Sequence, residues 1–226
     1  MGLVVDYSIT TGYYDTKGSE EFFKVWMANT LKYARPAEIV VANAAGKCLQ
    51  HLGGTWLNAK HNYGHVKKLA KGEKHGGWWL GFMLGALMCY CHRHDFIYKE
   101  QDCLAFGPWV GHLLGTAKNT GASVVIGRFT QHPYSIEQSL VLIKRHAILD
   151  FITEYLMLPK PESLRAGRPE FKFLSIMKKR PKMVVFMQMG CGRDRPIPYE
   201  HKHFYAQHLT EPELLELRRR KLLPPE

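Results

Sequence analysis

Apolar residues change their spacing repeatedly along the chain, and the changes mark out alternating strands and helices. "LVVDYSIT", from residue 3, reads as a strand, and "SEEFFKVWMANTLKYA" follows with apolar residues at helical spacing behind Ser19, placed as an N-cap. "AEIVVANA" is a second strand, so the βαβ order predicts a parallel sheet. After "TWLNAK", a short strand, comes the polar loop "HNYGHVKKLAKGEKHGG", then a helix from Trp78 to about Cys91 that is apolar on every side and therefore buried. "DFIYKE", "ASVVIGR" and "KMVVFMQ" supply further strands. "SIEQSLVLIKRHAILDFITEYL" reads as one long amphipathic helix with Glu137 in its first turn behind Ser135. Segment 159–170, "PKPESLRAGRPE", reads as an exposed connection. "EPELLELRRRKLL" closes the chain as a helix with acids first and bases last, as the helix dipole favours. There is no internal repeat. The expected fold class is α/β, a single domain with a mostly parallel central sheet flanked by helices and a Rossmann-like nucleotide-binding half.

Composition narrows the function classes. With 226 residues, 46% apolar and 23% charged, the chain can bury one sizeable core, and wholesale disorder is excluded. The longest apolar stretch, "GGWWLGFMLGALMCYC", has 16 residues and is short for a membrane span of roughly 20. The first residues show no basic leader or small-residue cleavage pattern, so a cytoplasmic protein is expected. Five cysteines, at 48, 89, 91, 103 and 191, form no regular framework, which suits reduced thiols. "CYCHRHD" holds Cys89, Cys91, His92 and His94, all zinc-binding types. On a helix Cys89 and His92 share one face and Cys91 and His94 another, so the four cannot converge on one ion without breaking the helix. The net charge of +11 favours anionic ligands, whether a phosphorylated small molecule or nucleic acid. No helix-turn-helix, zinc-finger or RNP pattern supports nucleic acid, and no P-loop supports an ATPase.

The sharpest chemical feature is "DFIYKEQDCLAFGPW", where Glu100 and Asp102 interrupt a core segment. At the carboxyl end of an interior strand, residues i and i+2 of an extended segment would point both carboxylates the same way, at the edge where open α/β sheets bind ligands. Facing carboxylates repel unless a cation neutralises them, and hard oxygen ligands suit Mn²⁺ or Mg²⁺, which grip diphosphates. A strand ending in a polar turn is the alternative. "GCGRDRP" adds Arg193 and Arg195 in a glycine-flanked loop suited to charge-assisted bonds with phosphate, with surface salt bridging as the alternative.

The order of these segments resembles the GT-A type of nucleotide-sugar glycosyltransferase, whose acidic Asp-x-Asp motif ends a central strand after a buried helix. Here the motif reads "EQD", with Glu100 in place of the first aspartate. The resemblance covers residues 3 to 155 in layout and extends into "MGCGRDRPIPYEHKHFYAQHLTEPEL"; it is similar to small glycosyltransferase domains of bacteria and large DNA viruses. It implies a nucleotide-sugar-binding half over 1–107 and an acceptor-side half with the closing helix over 108–226. It implies that "SITTGYYD" holds base and ribose through Thr10, Thr11, Gly12 and Tyr13, glycine for close backbone approach and tyrosine for stacking, with Lys60 as a further donor-binding residue. Glu100 and Asp102 would hold the metal, and one of His201, His203 or His208 would add a late histidine ligand. Glu137 would be the acceptor-activating base, its alternative being an acid that stabilises a helix dipole. The expected reaction moves a sugar from a nucleotide diphosphate sugar, UDP favoured, to an acceptor hydroxyl on a glycan or protein-linked sugar. The rivals are a non-catalytic basic nucleic-acid-binding protein and a two-metal nucleotidyltransferase.

Overall fold

A computed structural model describes residues 6–14, 18–44, 46–59, 76–127, 136–159, 169–187 and 189–223. Lys60, Ser135, the basic loop after Lys60 and residues 160–168 of the expected connection lie outside the described residues.

Strand β1 (Tyr7–Tyr13) leads into helix α1 (Ser19–Tyr33), β2 (Glu38–Ala44) and β3 (Thr55–Ala59). Helix α2 (Gly76–Cys91) precedes β4 (Asp95–Lys99), β5 (Cys103–Phe106), α3 (Trp109–Thr120) and β6 (Val124–Gly127). Then come β7 (Glu137–Ile143), α4 (Ile148–Leu156), α5 (Pro169–Lys179), β8 (Val184–Phe186), β9 (Cys191–Gly192), β10 (Phe204–Gln207) and α6 (Glu211–Arg219). The main sheet has seven strands in the order β3-β2-β1-β4-β7-β6-β8. All pairings are parallel except those of β7, which runs antiparallel to both β4 and β6. A second sheet, β5-β10-β9, stands beside it. The expected α/β class with a mostly parallel central sheet is the observed one.

Four readings change, the first being that α2, expected to be covered on every side, exposes Leu80, Leu84 and Leu87 along one side. The long helix expected from Ser135 begins as strand β7, buried at every residue, and turns helical only at Ile148 after a short 3-10 turn. A strand buried on both faces has no alternation to display, and a short apolar run such as Leu140–Ile143 fits either element by periodicity alone. β1 runs on through Tyr13, past the expected end at Thr10, so Thr11, Gly12 and Tyr13 are strand residues as well. Ser19 is the first helical residue of α1, the cap position being Gly18 at φ 82°.

The core is split by the sheet. On one face α1, α3 and the small sheet bury Phe23, Trp26, Leu104, Trp109 and Tyr205. On the other, α2, α4 and α5 bury Phe82, Phe151 and Phe173 against Phe96 and Tyr98. Helix α2 lies directly on β1: a Cβ at Gly85 would sit 2.0 Å from Thr10 Cγ2, so glycine there sets the spacing between the layers. Among the described residues no helix is long and apolar enough to cross a membrane.

Candidate active site

The parallel strands β1 and β4 end side by side, and β7, running the other way, begins at the same edge with Glu137. Glu100 follows the last residue of β4, its N–H donating to Ser139 O at 2.8 Å, and Cys103 N–H donates back to Glu100 O at 3.0 Å. The acidic pair therefore stands in a tight turn between β4 and β5, the backbone of the alternative reading, a strand ending in a polar turn, and not the extended segment. The carboxylates nevertheless meet at one point. Gln207, the last residue of β10, donates from Nε2 to Glu100 Oε2 at 2.7 Å and to Asp102 Oδ1 at 3.1 Å. Its amide is oriented by Arg193 Nε, which donates to Gln207 Oε1 at 3.3 Å.

Glu100 is tied down on every side. Trp78 Nε1 donates to Oε1 at 2.8 Å and Trp26 Nε1 to the backbone carbonyl at 2.9 Å. Burial, with the Asp102 and Glu137 carboxylates beside it, pushes its carboxyl well above the usual range, against the pull of Trp78 and Arg193. Glu137 is fully buried at the mouth of β7. Oε1 accepts from Ser139 N–H at 3.2 Å, while Oε2 has no hydrogen-bond partner and lies 3.2 Å from where a Gly192 Cβ would stand. Burial raises its carboxyl to about 7, although Arg193 and Ser139 act in the opposite direction.

The other expected residues divide. Asp102 is half-buried, and its Oδ2 lies 3.2 Å from His208 Nδ1. Of the three late histidines, His208 is the one beside the acidic turn, whereas His203 stacks on His112 with ring centroids 4.1 Å apart and His201 is exposed. Burial, then Arg193 and Arg195, lower the His208 imidazole, and Asp102 raises it. Arg193 is exposed and faces the acidic cluster. Arg195 does something else: it pairs with Glu213 of α6 and donates to the carbonyls of Gln207 at 3.0 Å and Asp194 at 2.9 Å, clamping the loop to that helix. Thr10 is buried under α2 near Cys89, and Thr11 Oγ1 donates to Gly12 O at 3.2 Å. Tyr13 is turned into the core against Phe23 and Trp56. The next residue, Tyr14, is exposed instead, and its N–H donates to Gln101 Oε1 at 3.1 Å. Burial and the Asp102 and Glu100 charges push its phenol up, which places it against the acidic turn.

The donors fit a divalent cation only in part. Both Glu100 oxygens already accept hydrogen bonds, from Trp78 and Gln207, so Glu100 is held as a supporting group. Asp102 and His208 offer a carboxylate and an imidazole at the solvent side, a donor set suited to Mn²⁺. Gln207, Trp78 and Tyr14 were not foreseen. Tyr14 adjoins the expected stretch, but nothing local links Gln207 to an acidic turn 105 residues away.

No family model matches the sequence, and no curated protein matches it. Solved structures do. Staphylococcus aureus TarS 1–349 in complex with UDP superposes with a TM-score of 0.54 at 10% identity, over 95% of this chain and 64% of that one. The glycosyltransferase GlyE of Streptococcus pneumoniae TIGR4 gives 0.50 at 8% identity, over 98% of this chain and 65% of that one. The chain thus spans less than two thirds of the length of either. With its seven-stranded, mostly parallel sheet and an acidic turn following a central strand, the chain has the GT-A-like fold of the glycosyltransferases.

Proposed function

We propose that the chain is a glycosyltransferase that moves a sugar from a nucleotide diphosphate sugar, with UDP as the nucleotide, to an acceptor hydroxyl. The observation that carries this reading is the convergence of Glu100, Asp102 and Glu137 with Arg193 at the carboxyl edge of β1 and β4, in a fold shared with glycosyltransferases. UDP is preferred because the TarS structure holds it.

In this reading Asp102 and His208 hold a divalent cation, Mn²⁺ or Mg²⁺, which supplies positive charge for the departing diphosphate. Glu100, locked by Trp78 and Gln207, fixes the turn that aims Asp102. Arg193 presents its guanidinium to the same phosphates. Tyr14, beside the turn and exposed, takes the stacking role against the base that the buried Tyr13 is not placed to fill. Glu137 serves as general base. Its carboxyl titrates at about 7, near the value at which a base is both deprotonated and able to hold a proton at neutral pH. As the acceptor oxygen bonds to the anomeric carbon and the bond to the diphosphate oxygen breaks, the acceptor proton passes to Glu137 Oε2.

Asp102→Asn tests the site with little change of volume. Single-turnover transfer from a panel of UDP-sugars with Mn²⁺ should fall by about 10² to 10³, the usual cost of losing one group that stabilises transition-state charge. Unchanged turnover would remove the metal reading, and pyrophosphate release from nucleoside triphosphates would replace it with nucleotidyl transfer.

A further inference from the structure

At the opposite edge of the sheet, three side chains come together that the reaction does not use. Helix α2 ends at Cys91, and the turn that follows, with Arg93 at φ 65°, frees His92 and His94 from helical spacing. Both then approach Glu38, the first residue of β2: one ring nitrogen from each histidine and one carboxylate oxygen lie within 4.8 Å of one another. His92 Nδ1 is 2.8 Å from Glu38 Oε2. Two hydroxyls hold the remaining atoms. Thr55 Oγ1 donates to Glu38 Oε1 at 2.7 Å, and Ser8 Oγ is 2.7 Å from His94 Nδ1.

We propose that Glu38, His92 and His94 form a zinc site at the amino edge of the sheet, separate from the candidate active site. The donor set, two imidazoles and a carboxylate, is one that zinc takes with three protein ligands and a water. The hydroxyls supply the outer support that orients metal-binding histidines and carboxylates. Ser8, accepting from Nδ1–H of His94, leaves the Nε2 lone pair for the ion, and Thr55 occupies the carboxylate oxygen turned away from His92. An ion pair alone accounts for His92 and Glu38; it gives no reason for the third donor or for the two hydroxyls. His92 is exposed, which gives the ion an entry path and an open fourth position. Cys89, buried on the sheet side of α2 near Thr10, and Cys91, exposed, are not needed, so only the two histidines of the four-residue cluster in the sequence belong to the site. The ion would pin the α2–β4 turn to the start of β2. Along β1, seven residues at about 3.3 Å each separate this edge from the acidic turn by roughly 20 Å.

Chelator-treated protein titrated with Zn²⁺, and separately with Co²⁺, tests the site. One equivalent of zinc should bind with micromolar or tighter affinity and raise Tm, and cobalt should give the visible absorption of a tetrahedral site. His92→Ala, at an exposed position, should weaken zinc at least about tenfold and abolish the cobalt band, and Thr55→Val should weaken it about 10-fold to 100-fold through the outer support. Asp102→Asn should bind zinc like the parent. Failure of the parent to bind at micromolar zinc, or a cobalt spectrum unchanged in His92→Ala, would overturn the proposal. So would loss of zinc in Asp102→Asn, which would place the ion at the acidic turn instead.

Discussion

Asp95 and Glu100 bracket the same strand, β4, and the protein treats the two acids in opposite ways. Asp95 opens the strand, nearly buried, with Lys144 paired to Oδ2 and Arg145 N–H donating to Oδ1 at 2.8 Å. Each oxygen has a positive or polar donor, and the group anchors the end of β7 to the start of β4. Glu100 closes the strand among two other carboxylates, and Glu137 adds an oxygen that is buried without a partner. Burying a carboxylate in that way costs stability, because the charged form loses hydration that nothing in the protein replaces. A fold that satisfies Asp95 so fully at one edge does not lack the means to do so at the other. On the proposed function, a ligand rather than the protein would complete the charge balance at the carboxyl edge.

The sharpest way to break this comparison is the same acid-to-amide change at both edges. Glu137→Gln should lower single-turnover transfer by about 10² to 10⁴, the range for a lost general base, while donor affinity stays near that of the parent. Its effect on stability should have the opposite sign. The folded-state value of about 7 lies above the ordinary carboxylate value, so the folded protein binds the proton more tightly than the unfolded chain. The stability this confers is complete below the unfolded value and is lost as pH rises towards 7. Above that window the buried charge costs about 3 kcal/mol, so denaturation at pH 8 should show the variant to be more stable by about 1 to 3 kcal/mol, with no gain near pH 4. A variant with full activity and unchanged pH dependence would mean that Glu137 is an ordinary core residue.

Asp95→Asn should do the reverse. It leaves Lys144 beside a neutral amide and weakens the bond from Arg145 N–H, a loss of up to about 3 kcal/mol, the lower end for breaking a buried pair, since Lys144 is only partly covered. Transfer by the folded fraction should be unaffected. If Asp95→Asn and Glu137→Gln shift the urea midpoint in the same direction, the contrast between the edges is not electrostatic.

Much of this architecture was legible because its signals are local. β2, β4, β6 and α6 sit where apolar spacing and end charges place them. β7 was hidden because its seven residues are all buried, which removes the alternation that distinguishes a half-covered strand. The acidic turn could be read from Glu100 and Asp102, but the part of the site that orients them could not. Gln207 and Arg193 arrive from the small sheet and its neighbouring loop, and their approach is fixed by β10 pairing with β5, a long-range register that no short pattern encodes. Tyr13 was named for stacking on its residue type alone. Tyr13 is the last, buried residue of β1 and Tyr14 lies beyond the strand's end and is exposed, so the position where β1 stops was the missing fact.

The smallest expected effect concerns Lys99, immediately before the acidic turn, whose ammonium is fully buried. Its Nζ donates to Asn29 Oδ1 at 2.9 Å and Thr30 Oγ1 at 2.6 Å and lies 4.5 Å from the centroid of the Trp26 ring. Burial lowers its pKa to about 7, so the folded protein binds this proton less tightly than the unfolded chain does. Here stability rises with pH, from about 7 up to the ordinary lysine value, the opposite slope to that of Glu137 and in the next window up. Lys99→Met keeps the buried stem and removes the charge. Loss of the two hydrogen bonds and the contact over Trp26 offsets much of the relief, and Asn29 Oδ1 still accepts from Ala105 N–H at 3.1 Å. The net gain at pH 7 should therefore be only about 1 to 2 kcal/mol, shrinking towards pH 10 as the folded lysine is neutral and the pH nears the ordinary value at which the unfolded chain also releases the proton. Urea denaturation of parent and variant at pH 7 and pH 10 measures it; equal differences at the two pH values would show that Lys99 stays charged in the folded core, held by Asn29, Thr30 and Trp26.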